Sequence, residues 1–255
     1  MSGHSKWATI KHKKGAQDKA RGKLFAKLIR QVEVAAREGG GDPAMNPTLR
    51  TMFQKARDSS VPMETIEKAI KRATGDLEGV RYEAVSYEGY APSGVAVIIE
   101  CLTDNRNRTG SDIRAVFSKN GGSMAEPGAV AWQFERKGII EVKKGLAAGG
   151  ALSEDDAMMA ALEAGAEDVS DGGDSWEVTT APSEMSAVRD ALEAAGLGID
   201  SSDVMLVASN TVPLDNESDA KKVLRLVDLL EDLDDVQNVY ANFDIPDSIL
   251  ELVEA

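Results

Sequence analysis

The sequence is short of the residues on which most acid–base and redox chemistry depends. Its 255 residues include two histidines, His4 and His12, and one cysteine, Cys101. A lone cysteine cannot close an internal disulfide, and its place in the apolar run 95–102 suits a small core residue in a reducing compartment. Both histidines fall in the first twelve residues, so the remainder of the chain has none to serve as a general base, and most nucleophilic schemes lose their usual partner. Neither histidine has a cysteine cluster near it, which argues against a zinc site. No run approaches the roughly 18 consecutive apolar residues of a membrane span, and the first residues lack the apolar stretch of a secretory signal. The expectation is a cytoplasmic protein that is not an enzyme.

What the chain does have is charge, unevenly spread. The formal net charge is −14, yet residues 1–72 carry 16 Lys and Arg against 7 Asp and Glu, a net of +9. That leaves 13 basic and 36 acidic residues for the rest, a net of −23. Such asymmetry points the basic part at phosphates. The cluster Lys6, Lys11, Lys13, Lys14, Lys19, Arg21, Lys23 and Lys27 surrounds Trp7 and runs into the first helical pattern. Lysine and arginine release condensed counterions on binding a nucleic acid, and an exposed tryptophan can stack on a base; Trp7 could equally anchor the segment on the helices that follow. A second candidate is the loop Asp104, Asn105, Arg106, Asn107 and Arg108, just before a helix N-terminus. Arg106 and Arg108 could hold an anion there, or the loop could serve only for capping and local ion pairs.

Other patterns fail their chemical tests. Gly15 to Lys23 has six residues between Gly15 and Gly22 instead of four, and Leu24 stands where a P-loop needs Ser or Thr. The segment around Asp168, Asp171 and Asp174 lacks the closing glutamate of a calcium loop. Carboxylate pairs such as Asp155–Asp156 and Asp234–Asp235 read as solvated surface in so acidic a chain. No cofactor, metal or small-molecule substrate is expected.

The periodicities give an α+β layout. Leu24, Leu28, Val32 and Ala35 mark one buried helical stripe, closed by Gly39, Gly40 and Gly41. Asn46 before Pro47 opens a second helix to about Asp58, and a third runs from near Pro62 to Gly75 with Met63, Ile66, Ala69, Ile70 and Ala73 inward. Residues 1–78 thus read as a basic three-helix domain. Strands 82–90 and 95–102 form a buried hairpin, followed by a helix from about Thr109 to Lys119 and a strand 129–134. From Gly138 the order is strand, helix, two strands joined at Asp171, Gly172 and Gly173, helix, strand, which is the ferredoxin-like βαββαβ order. A helix 218–230 and a strand 236–243 remain, and they must pack on something earlier. The expected division is a middle domain of 79–136 plus 213–255, interrupted by a ferredoxin-like domain at 137–212.

The opening Gly3, His4, Ser5, Lys6, Trp7, with Ile10, Lys11, Lys14, Asp18, Arg21, Lys23, Phe25 and Lys27, closely resembles the YebC family. So do Ala35 to Pro47, Tyr87 to Tyr90, Thr103 to Thr109 and Val239 to Asp244, in family order. The chain departs from the family pattern at Thr48, often Arg, and at Ser60 and Val61, often Asn-Met. The resemblance implies three domains, with the second interrupted, and a transcriptional regulator that binds DNA. Through its mitochondrial and some bacterial relatives it also implies a ribosome-associated translation factor that binds rRNA or tRNA and relieves stalling at proline runs. Carried over, Lys6, Trp7, Lys11, Lys14, Arg21 and Lys23 would touch nucleic acid.

Overall fold

A computed structural model describes residues 17–75, 81–145 and 150–254. In chain order, helices α1 (Gln17–Gly39), α2 (Pro47–Asp58) and α3 (Met63–Thr74) precede strands β1 (Glu83–Tyr90) and β2 (Ala96–Thr103). Then come α4 (Arg106–Lys119), β3 (Ser123–Ala125), β4 (Phe134–Lys143), α5 (Glu154–Ala164), β5 (Asp168–Asp171), β6 (Ser175–Thr180), α6 (Met185–Ala194) and β7 (Ile199–Ala208). The chain continues through β8 (Val212–Pro213), α7 (Glu217–Glu231), β9 (Val236–Ala241), β10 (Phe243–Asp244) and α8 (Asp247–Glu254). The fold is α+β, and its residues gather into two compact units, one of Gly15–Ala131 with Asn216–Ala241, the other of Trp132–Asp215 with Asn242–Glu254.

In the first unit, α1, α2 and α3 bury Leu28, Val32, Ala35, Leu49, Ala56, Ile66, Ala69 and Ala73 against one another. Several of these are alanines, which let helix axes approach closely. Leu24 and Met63, both expected inward, are 40% and 44% exposed. Met63 is the first residue of α3, and Leu24 lies in the N-terminal half of α1. Buried Asn46 closes the corner between α1 and α2. Its Oδ1 accepts from Leu49 N–H at 3.0 Å, and its Nδ2 donates to the carbonyls of Ala35 and Gly40 at 2.8 Å. Gly39 must be glycine for this to work, because a Cβ there would sit 2.5 Å from Asn46 Nδ2.

The same unit holds a sheet of order β3-β1-β2-β9. β2 is central and buried at Ala96, Val97, Ile98 and Ile99, as its unbroken apolar run predicts. β9 returns from far along the chain to pair antiparallel with β2, Ile99 opposite Val239. α7 buries Val223, Leu224, Leu226, Val227 and Leu230 in this unit's core. Two expectations change. α4 begins at Arg106 instead of Thr109, because Asn105 Oδ1 caps it by accepting from Arg108 N–H at 3.1 Å. No strand spans 129–134: 131–133 is a 3₁₀ turn and Phe134 opens β4. The cause is buried Glu88, whose carboxylate accepts from the N–H groups of Gly128, Val130 and Ala131 at 2.7, 2.7 and 3.0 Å, removing donors a strand would need.

The second unit is the expected βαββαβ. Its sheet has order β5-β6-β4-β7 with every neighbour antiparallel, and the β5–β6 turn carries Gly173 at φ +94°. Ile140, Val142, Val178 and Trp176 pack against Ala157, Ala161, Val188 and Leu192 of α5 and α6. The expected strand 236–243 is split at Asn242: β10 leaves β9 and pairs in parallel with β8. Helix α8 follows, an element absent from the sequence reading.

Candidate nucleic-acid interface

Lys6, Trp7, Lys11, Lys13 and Lys14 lie outside the described residues. Lys19 and Arg21 belong to the first turns of α1, the element that also carries Lys23 and Lys27. The third cation of that face, Arg30, was missed in the sequence, although the spacing Lys23, Lys27, Arg30 continues one helical stripe.

The structure places these three cations on a segment of the chain some 200 residues away. Lys23 Nζ is 2.8 Å from Asp232 Oδ1 and 3.2 Å from the Asp232 carbonyl oxygen. Lys27 Nζ donates to the carbonyl of Glu231 at 2.8 Å, and Arg30 Nη1 to that of Asp234 at 2.8 Å. Glu231 ends α7 and Asp232 is its C-cap, so Lys23 and Lys27 meet carbonyls left without helical partners at the negative end of the helix dipole, and Arg30 meets the turn just beyond. Arg30 also donates to the Leu102 carbonyl at 3.2 Å and lies over the Tyr82 ring, 4.8 Å from its centre.

Asp235 receives cations from the other side. Its Oδ2 accepts from Arg108 Nη2 at 2.8 Å and from Thr109 Oγ1 at 2.7 Å, while Arg30 Nη1 stands 3.6 Å from Oδ1. The side chain is 12% exposed, which corrects the reading of Asp235 as solvated surface, while Asp234 is exposed as expected. Burial pushes its pKa up, but the bonds from Arg108 and Thr109 and the charges of Arg108 and Arg30 outweigh that and hold it below the ordinary aspartate value. Arg108 is thus committed to Asp235 and, at 2.7 Å, to Asp104. These bonds raise its pKa, Asp235 contributing most.

Arg106 sits differently. It is 61% exposed on the first turn of α4, with Glu83 Oε2 at 3.8 Å, and its carbonyl accepts from Tyr87 O–H at 3.0 Å. Between α1, α4 and the turn after α7 lies a cleft of about 460 Å³, lined by Arg30, Tyr82, Arg108 and the aspartates 104, 112, 232, 234 and 235. Of the two arginine-loop candidates, Arg106 therefore faces solvent, and Arg108 binds the protein's own carboxylates.

Chemistry elsewhere is sparse. Among the described residues no cluster of three His, Cys, Asp or Glu side chains could hold a metal, and no helix is long and apolar enough to cross a membrane. Cys101 is buried, and desolvation pushes its thiol up to about 12. The turn between α2 and α3 is short, as in a helix-turn-helix, yet the first half of α3 presents exposed Glu64 and Glu67, where a recognition helix would meet base edges.

Comparison with known proteins agrees with the layout. Residues 5–76 match the profile described as the TACO1/YebC protein N-terminal domain, and residues 82–243 the TACO1/YebC second and third domain. A relative from Mycobacterium sp. (strain KMS) is 56% identical over 255 residues, covering all of both chains. One from Saccharopolyspora erythraea is 55% identical over 256 residues, again covering both. Each is named "Probable transcriptional regulatory protein". The crystal structure of a conserved hypothetical protein from Aquifex aeolicus, 47% identical, superposes with a TM-score of 0.80 over 90% of this chain and 92% of that one.

Proposed function

Since the chain belongs to the TACO1/YebC family, whose curated relatives carry the name of transcriptional regulators, we propose that it regulates gene expression by binding nucleic acid, without catalysis, in the cytoplasm. The observation that carries this reading is the net +9 of residues 1–72 in a chain of −14 overall. The contacts fall to Lys6, Trp7, Lys11, Lys13, Lys14, Lys19 and Arg21, with Arg106 as an exposed outlier. Lys23, Lys27 and Arg108 join them only by exchanging carboxylate or carbonyl partners for phosphate. The reading keeps the division into 1–78, 79–136 with 213–255, and 137–212.

DNA is the partner that the relatives' name suggests. One observation favours a second reading, action on the ribosome through rRNA or tRNA. Glu64 and Glu67 on α3 repel a groove floor and leave the basic segment to bind phosphates without reading sequence. The deciding experiment measures affinity for ribosomes and for a promoter-length duplex across a salt series. Sequence-selective duplex binding that persists at physiological salt supports transcription control. Tight ribosome binding beside weak, steeply salt-dependent duplex binding supports the translation reading. Binding to neither sinks both.

A further inference from the structure

The sheet of the second unit leaves one long edge unpaired among the described residues. β7 is outermost in the order β5-β6-β4-β7 and bonds to β4 alone. Exposed edges invite another strand unless charge, proline or a bulge turns it away. The two halves of β7 differ in this respect. The first half carries Asp200 and Asp203, and its register with β4 shifts between Glu141 and Val142. The second half, Val204, Met205, Leu206, Val207 and Ala208, has no charge and no register shift, and each of its residues is partly exposed.

The ladder decides which backbone groups point outward. Ser209 N–H donates to the Gln133 carbonyl at 2.8 Å, and Ala208 and Leu206 stand opposite Phe134 and Arg136. Bonded and non-bonded pairs alternate along an antiparallel ladder. Odd-numbered residues here therefore bond to β4, and the N–H and C=O groups of Val204, Leu206 and Ala208 face away from the sheet, the Val204 N–H donating locally to Asp203 Oδ1 at 3.0 Å, a bond that strand pairing would replace.

We propose that this half of β7 pairs antiparallel with β7 of a second copy of the chain, about a two-fold axis at Leu206. Outward groups must meet outward groups, which permits an axis at a residue and forbids one between two residues. An axis at Leu206 sets Leu206 against itself, Met205 against Val207, Val204 against Ala208 and Asp203 against Ser209. An axis at Met205 instead sets Asp203 against Val207, and one at Val204 sets Asp203 against Met205. Only the Leu206 axis matches apolar with apolar and polar with polar, and that self-complementarity is what an isologous contact requires. The result is one continuous eight-stranded sheet. It also joins two basic N-terminal segments in one particle, which raises avidity for a long phosphate backbone if the nucleic-acid reading holds. The pairing itself does not depend on that reading.

Each copy carries −14, so added salt should strengthen this association while weakening binding to phosphate. The test is sedimentation equilibrium of the full chain from about 1 to 100 µM. The wild type should approach twice the monomer mass, and Leu206→Lys should weaken association about tenfold or more, which corresponds to about 1.4 kcal/mol. Met205→Lys repeats the test on the other face of the strand, with the thermal melt confirming that each variant folds. Under mild oxidation Leu206→Cys should give a disulfide-linked dimer that Asp190→Cys, exposed on α6, does not. Cys101 is buried and will not interfere. A wild type of single-copy mass throughout, a dimer that survives both lysine variants once they are shown to fold, or equal cross-linking at Leu206→Cys and Asp190→Cys overturns the proposal.

Discussion

Lys27 Nζ and the carbonyl oxygen of Glu231 lie 2.8 Å apart, although 204 residues separate them in the chain. A cation at the end of a helix stabilises by about 0.3–1 kcal/mol. Lys27→Met keeps most of the aliphatic stem and removes the charge, so urea unfolding should show a loss of that size. Lys68→Met, in an exposed pair with Glu64, should show less.

Asp232 competes with any phosphate for Lys23. Both side chains are substantially exposed, and such pairs are worth only about 0.2–1 kcal/mol. Asp232→Asn should therefore raise nucleic-acid affinity by up to about fivefold, the equivalent of about 1 kcal/mol, with little change in Tm. An unchanged affinity in a filter-binding titration would place Lys23 outside the interface.

Deleting residues 2–14 removes Lys6, Trp7, Lys11, Lys13 and Lys14 together. Binding to ribosomes or duplex should fall, the slope of log affinity against log salt should flatten by about 0.7–0.9 per lost phosphate contact, and the melting temperature should stay nearly constant. Wild-type affinity in the deleted chain would remove the central support for the proposed function.

Glu88 and Asp235 give the protein an acid-side sensitivity whose sign is fixed. Burial opposes ionisation at Glu88, but three backbone N–H groups hold its pKa below the ordinary value, and Asp235 is lowered in the same sense. A carboxyl depressed by folding stabilises fully above its unfolded pKa, about 4, and the stabilisation disappears as pH falls through the folded value. Glu88→Gln should cost about 1–3 kcal/mol at pH 7, with faster amide exchange at Gly128, Val130 and Ala131. Its Tm deficit against wild type should shrink as the pH drops below about 4.

The parts of the fold written locally were legible. Asn46 before Pro47 announced α2, the glycines at 39–41 announced the end of α1, and Asp171-Gly172-Gly173 announced the β5–β6 turn. The misses have distant causes. Val130, Trp132 and Phe134 alternate like a strand, but the carboxylate that prevents one belongs to Glu88, some 40 residues earlier. Lys23 and Lys27 look like free cations because their partners, Asp232 and the Glu231 carbonyl, lie beyond any local window. Asp235 looks like surface charge until Arg108 and Thr109 are brought to it.

The seam between α1 and the end of α7 also sets a timetable for synthesis. When Lys27 is added to the growing chain, its partner carbonyl is still 204 residues from being made. At about 5–20 residues per second that interval lasts roughly 10–40 s. Through it α1, α2 and α3 can assemble on their own apolar contacts, while the cationic face of α1 waits and β2 lacks its neighbour β9. A nascent chain that ends between residues 75 and 231 thus carries the three helices with the Lys23, Lys27 and Arg30 face not yet covered.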